Sequence, residues 1–144
     1  MMSKLTKLTL LTLALLLTSC APGKTDPELK PFVEKWEETC GEKVNMDVAM
    51  VDDMDGTAVG KCIKFFASGR IEISREMFER SSRYFIQGVV IHELAHCMRG
   101  RRHENRGEFI DGCPKTVVDP LTLSDYCMAR HYDFYMKNSC ERGE

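Results

Sequence analysis

The sequence predicts an α+β domain, and three observations predict it. Short alternating or β-branched runs between residues 44 and 73 are joined by turn residues, the pattern of a small, twisted, mostly antiparallel sheet. Helical patterns bracket them, from Pro27 to about Thr39, from Ser81 or Ser82 to Arg99, and from Leu123 to about Ser139. Six cysteines lie across the same span (Cys40, Cys62, Cys97, Cys113, Cys127 and Cys140), an even set that reads as disulfides holding one small domain.

The first residues set the compartment. Lys4 and Lys7 precede an apolar run from Leu8 to Leu17, too short to span a bilayer, so residues 1–19 read as a signal peptide. The ending Leu17-Thr18-Ser19-Cys20 resembles a bacterial lipobox, which implies lipidation of Cys20 and an envelope protein anchored in a membrane. Residues 20–26 then form a lipid-anchored tether, and residues 27–144 the folded domain. Without the leader the formal charge moves from −2 to −4, an acidic balance that argues against a nucleic-acid partner. About 125 residues suffice for one core but not two, and a monomer is expected.

Each element has a local reason. Pro27 behind Asp26 suits a helix start, Phe32, Val33 and Trp36 make the apolar stripe, and Gly41 stops the helix. Val44, Met46, Val48 and Met50 alternate as a half-buried strand does. Asp52 to Gly56 reads as a turn rather than a calcium loop, because most ligand positions are missing. Ala58–Phe66 and Arg70–Ile73 read as strands joined by Ser68-Gly69, and residues 74–79 as a connector. Ser124 caps the last helix, which contains His131.

The chemistry concentrates in His92-Glu93-Leu94-Ala95-His96, followed by Gly100 and His103. Residues four apart share a helix face about 6 Å apart along the axis, so His92 and His96 reach one metal ion and Glu93 stands beside it as a base. The apolar flank Val89-Val90-Ile91 marks a buried helix. A catalytic zinc takes three protein ligands and keeps one open position. Gly100 can end the helix at positive φ, and His103 just beyond it is the favoured third ligand over Glu104, Glu108 and Asp111. Arg99, Arg101, Arg102 and Arg106 around this loop read as a solvated face, with a preference for acidic substrates the other reading.

H-E-x-x-H with a following Gly and third His resembles the metzincin branch of zinc metallopeptidases. Three residues, Cys97, Met98 and Arg99, stand before Gly100, one more than the metzincin spacing. The chain is more similar to small bacterial metzincin-like metallopeptidases with this longer spacing. Ile71-Glu72-Ile73-Ser74 matches the strand before their zinc helix, and Cys113 to Pro120 matches the turn after the third His; the likeness covers roughly Lys61 to Tyr135. It implies a zincin-like fold, with Val118 standing where the family's turn has Met. It also implies a sheet edge that binds substrate as an added strand, with Ile71–Ile73 the candidate and an ordinary internal strand the other reading.

The expected activity is peptide-bond hydrolysis of a peptide or protein substrate, with Zn²⁺ on His92, His96 and His103 and with Glu93 as general base. Tyr126 or Tyr132 is a candidate to stabilise an oxyanion. Two other classes fit the same residues: a non-catalytic zinc lipoprotein, its metal closed by Glu108 or Asp111, and a metal-free, disulfide-held interaction module of the envelope. Six cysteines allow fifteen pairings. A Cys97–Cys113 bridge, clamping the loop that carries His103, is the best single pair, and Cys127–Cys140 is excluded by its span on one helix.

Overall fold

The computed structural model describes residues 22–66 and 68–144. The expected signal peptide and the expected lipidation site, Cys20, lie outside the described residues. Among those described, three strands and five helices form a small α+β fold. Helix α1 (Lys30–Cys40) ends at Gly41, whose φ of 66° supplies the left-handed stop. It begins three residues later than Pro27, because Asp26 is committed to the sheet: its carboxylate accepts from Met50 N at 2.7 Å.

Strands β1 (Asp47–Val51), β2 (Gly60–Phe65) and β3 (Ser68–Ser74) form one sheet in the order β1-β3-β2. β3 pairs antiparallel with β2 and parallel with β1, so the sheet is mixed rather than mostly antiparallel. Ile71 and Ile73 are wholly buried and take the centre; the strand expected to offer an edge is therefore the interior one. Within the stretch expected to be a tether, residues 24–26 join the sheet. Thr25 bridges to Val48, with Val48 N to Lys24 O at 2.8 Å and Asp26 N to Val48 O at 2.9 Å. That covers the outer side of β1 and leaves the outer side of β2 as the open edge.

The connector contains a short helix, α2 (Arg75–Arg80), capped by Ser74. Helix α3 (Arg83–Arg99) lies across the sheet, its start capped by Ser82, whose hydroxyl accepts from Phe85 N at 3.1 Å. Ile86, Val89, Val90, Ile91, Leu94 and Ala95 are all buried, as a helix enclosed on most sides requires. The expected final helix is two: α4 (Asp125–Arg130) and α5 (Tyr132–Asn138). The break falls at His131, whose ring is drawn to Asp111 at 2.8 Å and stacks on Phe109.

The disulfides are Cys40–Cys140, Cys62–Cys97 and Cys113–Cys127. The expected Cys97–Cys113 pair is thus wrong. Cys97 follows His96 around the helix onto the sheet side, where Cys62 of β2 stands with its Cα 5.6 Å away. Cys113 meets α4 instead. Cys127 and Cys140 stay apart, as expected.

Candidate metal centre

Helix α3 places His92 and His96 one turn apart, and their ring centroids lie 4.5 Å from each other. Gly100, at φ 67°, turns the chain back, and Arg101 N bonds Ala95 O at 3.2 Å. The return carries His103 to the same point. His92 Nε2 lies 2.9 Å from His96 Nε2 and 3.2 Å from His103 Nε2. The sequence-predicted trio is brought together.

The outer nitrogens explain what the inner ones are for. His92 Nδ1 donates to Val117 O at 2.8 Å, and His96 Nδ1 donates to Arg101 O at 2.7 Å. A carbonyl only accepts, so both rings carry their proton on Nδ1 and turn a bare Nε2 lone pair inward. Burial and the neighbouring imidazoles push the pKa of His92 down to about 4, and burial lowers that of His96, so a second ring proton is disfavoured. Two lone pairs 2.9 Å apart then have no hydrogen between them. A tetrahedral zinc with Zn–N bonds of about 2.0–2.1 Å holds its nitrogens about 3.3 Å apart, close to this spacing. The donor set and the unpartnered nitrogens fit a zinc-type cation.

Glu93 faces the same space from the other side of the helix turn. It is 7 % exposed, and burial pushes its pKa up to about 7, opposed by a hydrogen bond from the Cys62 backbone N–H. Gly60 makes room for it: a Cβ there would sit 2.9 Å from Glu93 Cγ and 3.0 Å from its Oε1. The Cys62–Cys97 disulfide fixes β2 to α3 alongside. Together these elements enclose a cleft of about 650 Å³. Thr57, Lys61, Lys64, Pro120 and Thr122 line it with the three histidines and Glu93, so the cleft runs along the open edge of β2.

A buried network behind the histidines was not legible in the sequence. Arg101 is 3 % exposed, which overturns its reading as part of a solvated face. Its guanidinium donates to Glu104 Oε1 at 2.7 and 2.9 Å, to Thr116 Oγ1 at 2.8 Å and to Asn138 O at 2.6 Å. Asn138 Oδ1 accepts from Val117 N at 2.8 Å. The two carbonyls that orient His92 and His96 thus belong to residues held by one network. The side chain of Arg99 is largely covered too, paired with Glu42 at 2.6 Å and lying over Trp36. Val118 is fully buried; its carbonyl accepts from Glu104 N at 3.1 Å, so the turn ties the His103 loop through its backbone.

The other candidates lie elsewhere. Glu104 pairs with Arg101 and Arg106, Asp111 pairs with His131, and Glu108 bridges to Pro114. Tyr126 is exposed, and Tyr132 lines a separate cavity with Phe32, Arg83, Tyr84 and Gln87, so neither lines the cleft. No family model, no curated protein and no solved structure matches this chain.

Proposed function

We propose that this protein is a zinc-dependent metallopeptidase of the metzincin-like kind, anchored in a bacterial envelope through lipid on Cys20. The observation that carries the reading is the convergence of three inward Nε2 atoms, those of His92 and His96 bare, beside a buried carboxylate at an open cleft. His92, His96 and His103 would hold the ion. When bound, zinc supplies a Lewis acid that polarises a carbonyl and acidifies water.

The remaining work falls to the chain's own groups. Burial makes the Glu93 carboxylate a stronger base than an exposed Glu, suited to take a proton from the attacking water. It takes that proton as the new C–O bond forms and returns it to the leaving nitrogen as the C–N bond breaks. The open edge of β2 offers an extended peptide a strand to pair with, so β2 takes the role first expected of Ile71–Ile73. A closed structural site needs a fourth protein ligand, and among the described residues the histidine cluster has only three members. That favours the catalytic reading over the structural one.

The test is hydrolysis of fluorescein-labelled casein by the metal-loaded protein beside its Glu93→Gln variant. Turnover by the wild type and its loss in the variant, with zinc retained, is the expected result. Equal turnover in both would overturn the assignment of Glu93.

A further inference from the structure

The end of the sheet at which the chain enters the fold also carries its most exposed aromatic pair. Lys24 N bonds Asp47 Oδ1 at 2.8 Å, at the first residue of β1. Asp47 is in register with Arg70 of β3, and Ser68, two residues before, is in register with Phe65 at the end of β2. Side chains confirm the adjacency. Gly23 lies so close to the Met46 backbone that a Cβ there would meet its carbonyl oxygen at 2.0 Å, and the Met46 thioether in turn packs on Gly69. Residues 23, 46 and 69 are therefore neighbours, and the hairpin tip follows directly.

At that tip Phe65 is 58 % exposed and Phe66 completely exposed. Phe66 holds φ at 30°, a backbone conformation that L residues rarely adopt. Two adjacent phenylalanines turned to water beside Lys64 form the apolar-and-basic pair that suits a membrane interface rather than bulk solvent. The chain outside the described residues says which surface meets them. From Cys20 to Lys24 an extended backbone spans at most about 14 Å. Three strand spacings of about 4.8 Å separate the 24–26 segment from β2, so the tip lies about 14 Å to the side. Acyl chains on Cys20 would bring this end of the sheet, and with it the two phenylalanines, against the bilayer.

We propose that the Phe65–Phe66 hairpin tip is a second membrane contact, inserting into the same bilayer that holds Cys20 and fixing the domain's orientation on it. Glu93 packs on Gly60, five residues up β2 from Phe65, and Cys97, beside His96, is bonded to Cys62, three residues up, which stands the metal centre roughly 10–16 Å above the tip. The proposal is independent of hydrolysis and needs only the lipid anchor.

The test uses the full chain on vesicles of phosphatidylethanolamine and phosphatidylglycerol, with and without brominated acyl chains. The single native Trp36 is fully buried and gives a constant background. The indole introduced by Phe66→Trp is expected to shift its emission to shorter wavelength on vesicles and to lose most of its intensity to brominated lipid. Asp55→Trp, in the loop at the opposite end of the sheet, is expected to do neither. Phe66→Trp protein that sits on vesicles unquenched would overturn the proposal, as would equal quenching of Asp55→Trp or failure of the chain to attach. A blue shift without vesicles that grows with protein concentration would assign the tip to self-association and overturn it too. Intact-mass measurement reads acylation of Cys20 separately.

Discussion

Two trios of metal-binding side chains stand in this fold, and they differ in what their atoms are already doing. His92, His96 and His103 form one; Asp111, Cys113 and His131 form the other, and in each the donor atoms lie within 4.8 Å of one another. In the first, the Nδ1 atoms of His92 and His96 are bonded to carbonyls, and the inner Nε2 atoms have only each other. In the second, His131 Nε2 is bonded to Asp111 and the Cys113 sulfur is bonded covalently to Cys127. Proximity of ligand types is common to both. What marks a centre is convergence of donors that nothing else satisfies.

The largest expected effect concerns Glu93, the buried carboxylate beside the first trio. Glu93→Gln should lower turnover by about 10²–10⁴-fold while zinc stays bound, read by hydrolysis and metal content together. The next concerns the sulfur. Removing the second trio's disulfide by Cys113→Ser/Cys127→Ser should cost about 3 kcal/mol of stability for a loop of this size, read by denaturant unfolding. It should leave zinc content unchanged. Metal lost by that variant while it remains folded would erase the distinction between the trios.

Acid should separate the trios in the metal-free protein. His92 is held neutral by burial and by His96, its pKa depressed to about 4 from an ordinary 6.5. The unfolded chain takes up that proton as pH falls below 6.5 and the folded chain resists until about 4. Stability is therefore complete above 6.5 and falls across that window by on the order of 3 kcal/mol. Unfolding curves at pH 7 and pH 4 should show the loss. His92→Asn should remove that part of it, whereas His131→Ala should keep it.

The smallest effect lies behind the histidines. Asn138→Leu removes the acceptor for Val117 N and loosens the carbonyl that orients His92, so zinc affinity should fall by about 10–100-fold. Asn138→Asp keeps an acceptor there and should recover most of it. Asp111→Asn, at the second trio, should change zinc affinity little. Competition with a chelating dye measures all three.

The histidine cluster was legible in the sequence because helix period, a glycine stop and a returning histidine are local facts. His92, His96, Gly100 and His103 lie within twelve residues, and no long-range packing is needed to bring them together. Strand order was not local. The alternation around Ile71 and Ile73 marks a strand, but only pairing with residues more than twenty positions away makes it central. Arg101 misled for a related reason. Arginine is rarely buried, and its burial makes sense only once Glu104, Thr116 and Asn138 are seen around one guanidinium. Gly60 gave no signal either, since the space it leaves belongs to Glu93, thirty-three positions on. Residues 22–26 read as a tether from their Pro and Gly, yet Lys24 and Asp26 hydrogen-bond the backbone of β1.

The most direct measurement is metal content by mass spectrometry of the purified protein beside His92→Ala/His96→Ala and His131→Ala. Three convergent histidines predict about one zinc per chain in the wild type and in His131→Ala, and none in the double variant. A folded wild type that takes up no zinc when supplied with it, or a double variant that keeps its zinc, would contradict the assignment of the centre.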